Sequence, residues 1–280
     1  MSDQVKAPGG RRWLLHIGIA IIVIYCLMPF YWMVVSAFRR TSDIGDNSPL
    51  PSPWSLENFE AVFSPSVGFW RSLGNSLVVA GATTIVTLIV GTFAAYTIAR
   101  LDFRFKNIAA GIIIATSMFP GVSLIVPLLK LFTEIGWINT YQSMILPSLS
   151  FALPLAVWTL ATFFRQMPKE LEEAAMVDGL TRGQAFRKVI LPLAAPGMFT
   201  TAIITFIAAW NEFIIALSMV NQKEMKTATV AISQFTGSYG FDSPFGTKMA
   251  AGVIVTVPLV LVVLIFQRRI IAGLTAGGVK

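Results

Sequence analysis

Six apolar runs, each long enough to cross a bilayer, leave this chain few folds to choose from. They are Trp13–Phe38, Leu73–Ala99, Ile108–Phe132, Ser143–Phe164, Gly197–Val220 and Met249–Gln267. A hydrocarbon core about 30 Å thick takes about 20 helical residues at about 1.5 Å each. Buried strands run about 4–8 residues and soluble helices about 12. None of the six keeps the polar/apolar alternation of a barrel strand. In hydrocarbon the backbone must satisfy its own hydrogen bonds, and a helix does so within one segment. The expected fold is an all-α integral membrane protein with six transmembrane helices. Charged residues make up 12% of the chain, against about 25% in a soluble domain. That is too few to cover a water-facing surface.

Lys6, Arg11 and Arg12 precede the first run, as in the n-region of a signal peptide. The run exceeds an h-region of about 7–15 residues, and no small-x-small cleavage site follows it. It reads as an uncleaved first span. Cys26 is the single cysteine, so no disulfide framework exists. With the N-terminus inside, the segments 1–12, 100–107, 165–196 and 268–280 face the cytoplasm and hold 14 Lys/Arg, while 39–72, 130–142 and 221–248 hold 7. The Lys/Arg excess sets orientation, so a multi-pass protein with both termini cytoplasmic is expected. Nucleic-acid binding would need a basic face on a soluble domain. The chain offers none.

The expected organisation is a cytoplasmic N-terminal segment 1–12, a transmembrane domain 13–267 with a long cytoplasmic loop 165–196, and a cytoplasmic tail 268–280. The loop is locally well specified. Pro168 suits a helix start, and Glu170, Glu172 and Glu173 suit the positive end of the helix dipole. Leu171, Ala174 and Ala175 mark one small apolar face. Gly179 is a natural terminator, since it accepts left-handed backbone. Thr181-Arg182-Gly183-Gln184 fits a capping box that opens a second short helix, which Pro192 is expected to stop. The result is a two-helix elbow, either a solvated connection or a docking surface for a soluble partner.

At these residues the chain resembles the permease subunits of ABC importers. Their EAA motif reads Glu-Ala-Ala, three residues, Gly, nine residues, Ile, one residue, Leu-Pro. Here Glu173-Ala174-Ala175 is followed by Gly179, Val189, Leu191 and Pro192, with Val in place of Ile. Trp210-Asn211-Glu212-Phe213 resembles the Trp-Asn-Glu/Asp-Phe signature of the family. The ending from Arg268-Arg269 through Gly273 to Lys280 is similar to the tail of MalG-like subunits of carbohydrate importers.

The resemblance implies the type I ABC importer permease fold, with the elbow as a coupling helix seated in a cleft of the ATP-hydrolysing subunit. Glu172, Glu173, Ala174, Ala175, Asp178, Gly179, Arg187, Leu191 and Pro192 would form that contact, Glu173 facing a basic residue. Thr275, Gly277, Gly278 and Lys280 would reach between the two nucleotide-binding subunits. It further implies a second, homologous permease subunit, an extracytoplasmic sugar-binding protein, an inner-membrane location among lipid, and a disaccharide such as trehalose or maltose as cargo. ATP and Mg would be bound by the partner ATPase subunits, with no cofactor on this chain. A permease for another solute, such as a glycerophosphodiester, and a membrane scaffold or sensor are the alternatives.

No Gly-Lys dipeptide occurs, so the chain lacks a Walker A loop. His16 and Cys26 are single, and neither a catalytic constellation nor a metal site can be assembled from them. The chain is not expected to be an enzyme. Met118-Phe119-Pro120-Gly121 interrupts the third run, and prolines at such depth mark either a packing kink or a translocation path. Glu212, the only acid within a run, is a functional candidate by default or pairs quietly within the bundle. Phe119, Pro120, Trp210, Asn211 and Glu212 are the path candidates. In the last outer loop Gly237, Ser238, Tyr239, Gly240 and Phe241 form a glycine-bracketed aromatic tip. It suits a binding-protein contact, or none.

Overall fold

The computed structural model describes residues 12–236 and 244–276, the last ten of these as helical backbone only. Among the described residues every regular element is helical, as the hydropathy pattern requires. In chain order they are α1 (Arg12–Ala37), α2 (Glu57–Val62), α3 (Phe69–Arg100), α4 (Lys106–Ser117), α5 (Val122–Glu134), α6 (Tyr141–Gln166), α7 (Glu170–Val177) and α8 (Arg182–Ala185). After a π-helical turn at Phe186–Ile190 come α9 (Leu191–Leu193), α10 (Ala195–Trp210), α11 (Ile214–Met219), α12 (Ala228–Ser233) and α13 (Phe245–Ala276).

Four helices, α1, α3, α6 and α13, are long and apolar enough to span a bilayer unbroken. Two bent pairs bring the number to six: α4 with α5, turned by 92°, and Arg182–Leu193 with α10, turned by 69°. The run 108–132 is thus two helices. Pro120 has no N–H to continue the ladder, and Gly121 lets the chain turn against α6. A Cβ at Gly121 would stand 2.9 Å from Cζ of Phe151. The run 197–220 is also divided, because α10 ends at Trp210 and α11 starts afresh at Ile214.

The chain forms two compact units. One comprises Met1–Val67 with Phe235–Thr256. In it Asn58 is buried and donates to the carbonyls of Ala37 and Arg39 at 3.1 and 2.7 Å. Gly246 passes so close to Asn58 that a Cβ would lie 2.5 Å from its Oδ1. Arg39, also buried, donates to the carbonyls of Asp46 and Ser48 and lies 5.3 Å over the Trp32 ring. The Ser48 hydroxyl and amide hold the Asp46 carboxyl below the usual range, helped by nearby Arg39. The Pro-rich entry 48–53 is thus tied to one buried guanidinium.

The other unit comprises Gly68–Gln234 with Val257–Lys280. Its core lies between α3, α6 and α10. Small residues let the helices approach, as membrane packing favours: a Cβ on Gly91 of α3 would meet Cβ of Ala156 of α6 at 3.5 Å. At the Phe69 end of α3, Asn75 donates to the carbonyls of Glu224 and Lys226, and Ser76 accepts the N–H of Ala228. The segment ahead of α12 is thereby fastened to the bundle.

Candidate functional site

The elbow's two local signals fold as its sequence requires. α7 ends in a Schellman motif. Leu180 N–H donates to Ala175 and Gly179 N–H to Met176, each at 3.1 Å, and Gly179 has φ +88°. That pairing satisfies carbonyls the last turn would otherwise leave open. Thr181 then forms the capping box: its N–H donates to Gln184 Oε1 at 2.8 Å, and Gln184 N–H donates to its hydroxyl at 3.4 Å.

Pro192 does not stop the second helix, which runs on to Leu193. The π turn Phe186–Ile190 directly before it supplies the reason. There Leu191 N–H reaches back to Phe186 O, a shift of one residue in the ladder. Proline lacks a donor and crowds the preceding turn, and a π turn absorbs that mismatch.

The elbow packs on the Arg100 end of α3 and on α6. Phe186, Ile190 and Ala194 join Ala95, Tyr96, Ile98, Leu160 and Phe164 in one buried cluster. The Phe186 ring lies 4.4 Å from Tyr96 and 5.7 Å from Phe93. Arg100 donates to Met167 O at 2.9 Å, holding the chain just before α7.

α7 turns differently from the expectation. Ala175 is buried, but its inward companion is Glu172, 8% exposed, while Leu171 and Ala174 face out. A buried carboxyl needs partners, and it has them. The Tyr96 hydroxyl donates to Glu172 Oε1 at 2.6 Å, and Arg182 Nε stands 3.7 Å from the same oxygen. Glu173, Asp178, Gly179, Arg187 and Pro192 are exposed, and Leu191 is half-buried. With Leu171 and Ala174, Val177 completes an outward apolar stripe, 87% exposed at its end.

The two breaks in the bundle meet across Phe151. Phe119 and Pro120 are exposed at the first bend, and Gly121 touches the Phe151 ring. Phe151 in turn lines a cavity of about 120 Å³ together with Thr83, Leu155, Thr205 and Glu212. Glu212 caps α11: its carboxylate accepts the N–H groups of Ile215 and Ala216 at 2.8 and 3.0 Å. It thus replaces the helical turn that the break removes. Trp210 is buried with its indole N–H unpaired among the described residues, and Asn211 is exposed, donating to Ile207 O at 2.8 Å. Thr275 lies in the last turn of α13. Gly277, Gly278 and Lys280 of the tail, and Gly237, Ser238, Tyr239, Gly240 and Phe241 of the outer loop, lie outside the described residues.

Sequence reasoning did not find Tyr96 or Phe186. An aromatic near the end of a span reads as an interfacial anchor. Nothing local indicates a partner 76 residues away.

A helical bundle with bent crossings and an elbow fastened to its spans defines a membrane permease of the ABC importer class. The chain belongs to the family of binding-protein-dependent transport system inner membrane components, whose pattern matches residues 74–275. It is 45% identical over 260 residues to the trehalose transport system permease protein SugB of Mycobacterium tuberculosis (strain CDC 1551 / Oshkosh), covering 93% of this chain and 94% of that one. It is 40% identical over 271 residues to the trehalose/maltose transport system permease protein MalG of Thermococcus litoralis, covering 96% and 97%. Its fold matches a chain in the crystal structure of a bacterial ABC transporter involved in the import of the acidic polysaccharide alginate. That match has TM-score 0.77 at 18% identity and covers 94% and 98%. At that identity the likeness is one of fold.

Proposed function

We propose that this chain is the permease subunit of an ATP-driven sugar importer of the trehalose or maltose type, which couples hydrolysis on partner subunits to alternating access. The sugar rests on the two relatives named above, whose cargo is trehalose or trehalose and maltose. In the inner membrane the chain pairs with a second, homologous permease and receives its cargo from an extracytoplasmic binding protein. Both termini and the elbow lie in the cytoplasm. Two ATPase subunits hold ATP and Mg, and the tail from Thr275 onward reaches between them.

One observation carries the coupling role. α7 turns Leu171, Ala174 and Val177 outward with Glu173 and Asp178 beside them, on an elbow whose other face is packed into the spans. An apolar stripe with an acidic border suits a partner with an apolar cleft and a basic residue. Closure of the ATPase dimer would push this face, and the packed Phe186 and Ile190 would carry the push to α3 and α6. Phe119, Pro120, Trp210, Asn211 and Glu212 border the path, and Gly237–Phe241 meets the binding protein.

The test is the reconstituted importer with Glu173→Lys or Gly179→Leu. A Cβ at Gly179 has open space around it, so Leu there strains only the backbone, by about 1 kcal/mol or more. Both variants should insert at normal levels; Glu173→Lys should retain less ATPase subunit, and Gly179→Leu should retain less or hydrolyse ATP without taking up trehalose. Wild-type uptake with the ATPase fully bound would reduce the elbow to a connecting loop.

A further inference from the structure

Glu172 and Glu173 are neighbours in sequence but point about 100° apart around α7, and only Glu173 is available to a partner. Glu172 faces inward at 8% exposure and, among the described residues, is the elbow carboxyl hydrogen-bonded to a spanning helix. Its Oε1 accepts the Tyr96 hydroxyl at 2.6 Å and faces Arg182 Nε at 3.7 Å. Three elements therefore meet at one oxygen: the end of α3, the first elbow helix and the start of the second. Beside it the Tyr96 and Phe186 ring centroids lie 4.4 Å apart, their planes tilted by 47°.

From this geometry we infer that Glu172 is a positioning residue, a latch that makes the elbow and α3 move as one body, and not a contact to the ATPase. The inference rests on the importer reading and deepens it. Packing by Phe186 alone resists separation but permits sliding and rotation, because apolar contacts are not directional. A short hydrogen bond between a fixed ring and a helix-borne carboxyl is directional. It fixes the rotation of α7 about its own axis. That rotation decides whether Leu171, Ala174 and Val177 face away from the bundle. Without the latch, a push on α7 turns the helix before it moves α3.

The test uses the full reconstituted importer, with uptake of trehalose measured per ATP hydrolysed. Tyr96→Phe keeps the ring and removes only the hydroxyl. It should assemble with a full complement of ATPase subunit, yet uptake per ATP should fall by about tenfold, the scale of a lost hydrogen bond to a charged group. Glu172→Leu should behave likewise. Glu172→Gln keeps an acceptor for the tyrosine and should stay within about twofold of wild type, a rescue that mere packing would not produce. Assembly separates this role from that of Glu173, whose reversal should release the ATPase. Unchanged coupling in Tyr96→Phe, or a Gln variant as impaired as the Leu variant, overturns the latch. If Glu172→Leu fails to assemble, Tyr96→Phe decides alone. Wild-type protein that takes up no sugar under ATP would instead overturn the importer reading.

Discussion

The Asn75 carboxamide oxygen accepts the Tyr141 hydroxyl at 2.8 Å, while its nitrogen donates to the carbonyls of Glu224 and Lys226 at 2.9 and 3.0 Å. One side chain thus binds the starts of α3 and α6 to the loop that precedes α12. Asn75→Leu would strand two carbonyls and a phenol, a loss of about 1–3 kcal/mol. Trypsin should then cut after Lys223 or Lys226 much faster than in wild type. Tyr141→Phe leaves the carbonyls paired and should raise the rate less. Equal cleavage in all three proteins would mean that the loop is held by other contacts.

Gly197 in α10 lies against the Phe163 ring of α6, where an added Cβ would stand 2.5 Å from Cγ. Gly197→Ala must displace a bulky ring in a packed bundle, at about 1–3 kcal/mol. The expected outcome is a lower thermal midpoint in detergent. A second change, Phe163→Leu, should recover part of that loss. No recovery would show that the glycine serves backbone geometry and not the contact.

Glu212 accepts two backbone N–H groups at the start of α11. Glu212→Ala should therefore act first on stability, costing about 0.5–2 kcal/mol as lost helix caps do. The measurement is the thermal midpoint beside the half-saturating sugar concentration of uptake. A normal midpoint with a large shift in half-saturation would make Glu212 a cargo contact and not a cap.

Orientation can be read by labelling. In a Cys26→Ala background, a cysteine replacing exposed Ser66 should react with an impermeant thiol reagent from outside the cell. One replacing exposed Gln184 should react only after the membrane is opened. Reversed labelling would put the elbow on the wrong side for an ATPase.

Much of the candidate site was legible in the chain because its signals are short-ranged. Thr181 finds Gln184 three residues on, and Gly179 takes its positive φ from the Schellman turn that ends α7, so the turn between the two elbow helices could be drawn from spacing alone. Pro120 and Gly121 likewise announce a break in their run, though not its 92° angle. The inward face of α7 was misread, since a pattern of apolar residues ranks Leu171 above a glutamate. Only a donor from another helix reverses that ranking.

The sequence by itself determined that this chain crosses a membrane in helices, for a hydrocarbon solvent imposes a length and composition on each segment separately. It also determined where the first elbow helix ends and the second opens, because those caps are closed by residues a few positions apart. Tertiary structure alone decided which of two adjacent glutamates serves the fold. It also decided that Glu212 caps a helix and that Asn75 holds a loop 149 residues away. Each of those depends on a polar group meeting its partner across packed helices. In a low-dielectric interior such a group must find its donor or acceptor wherever the fold puts one, and no local spacing encodes where that is.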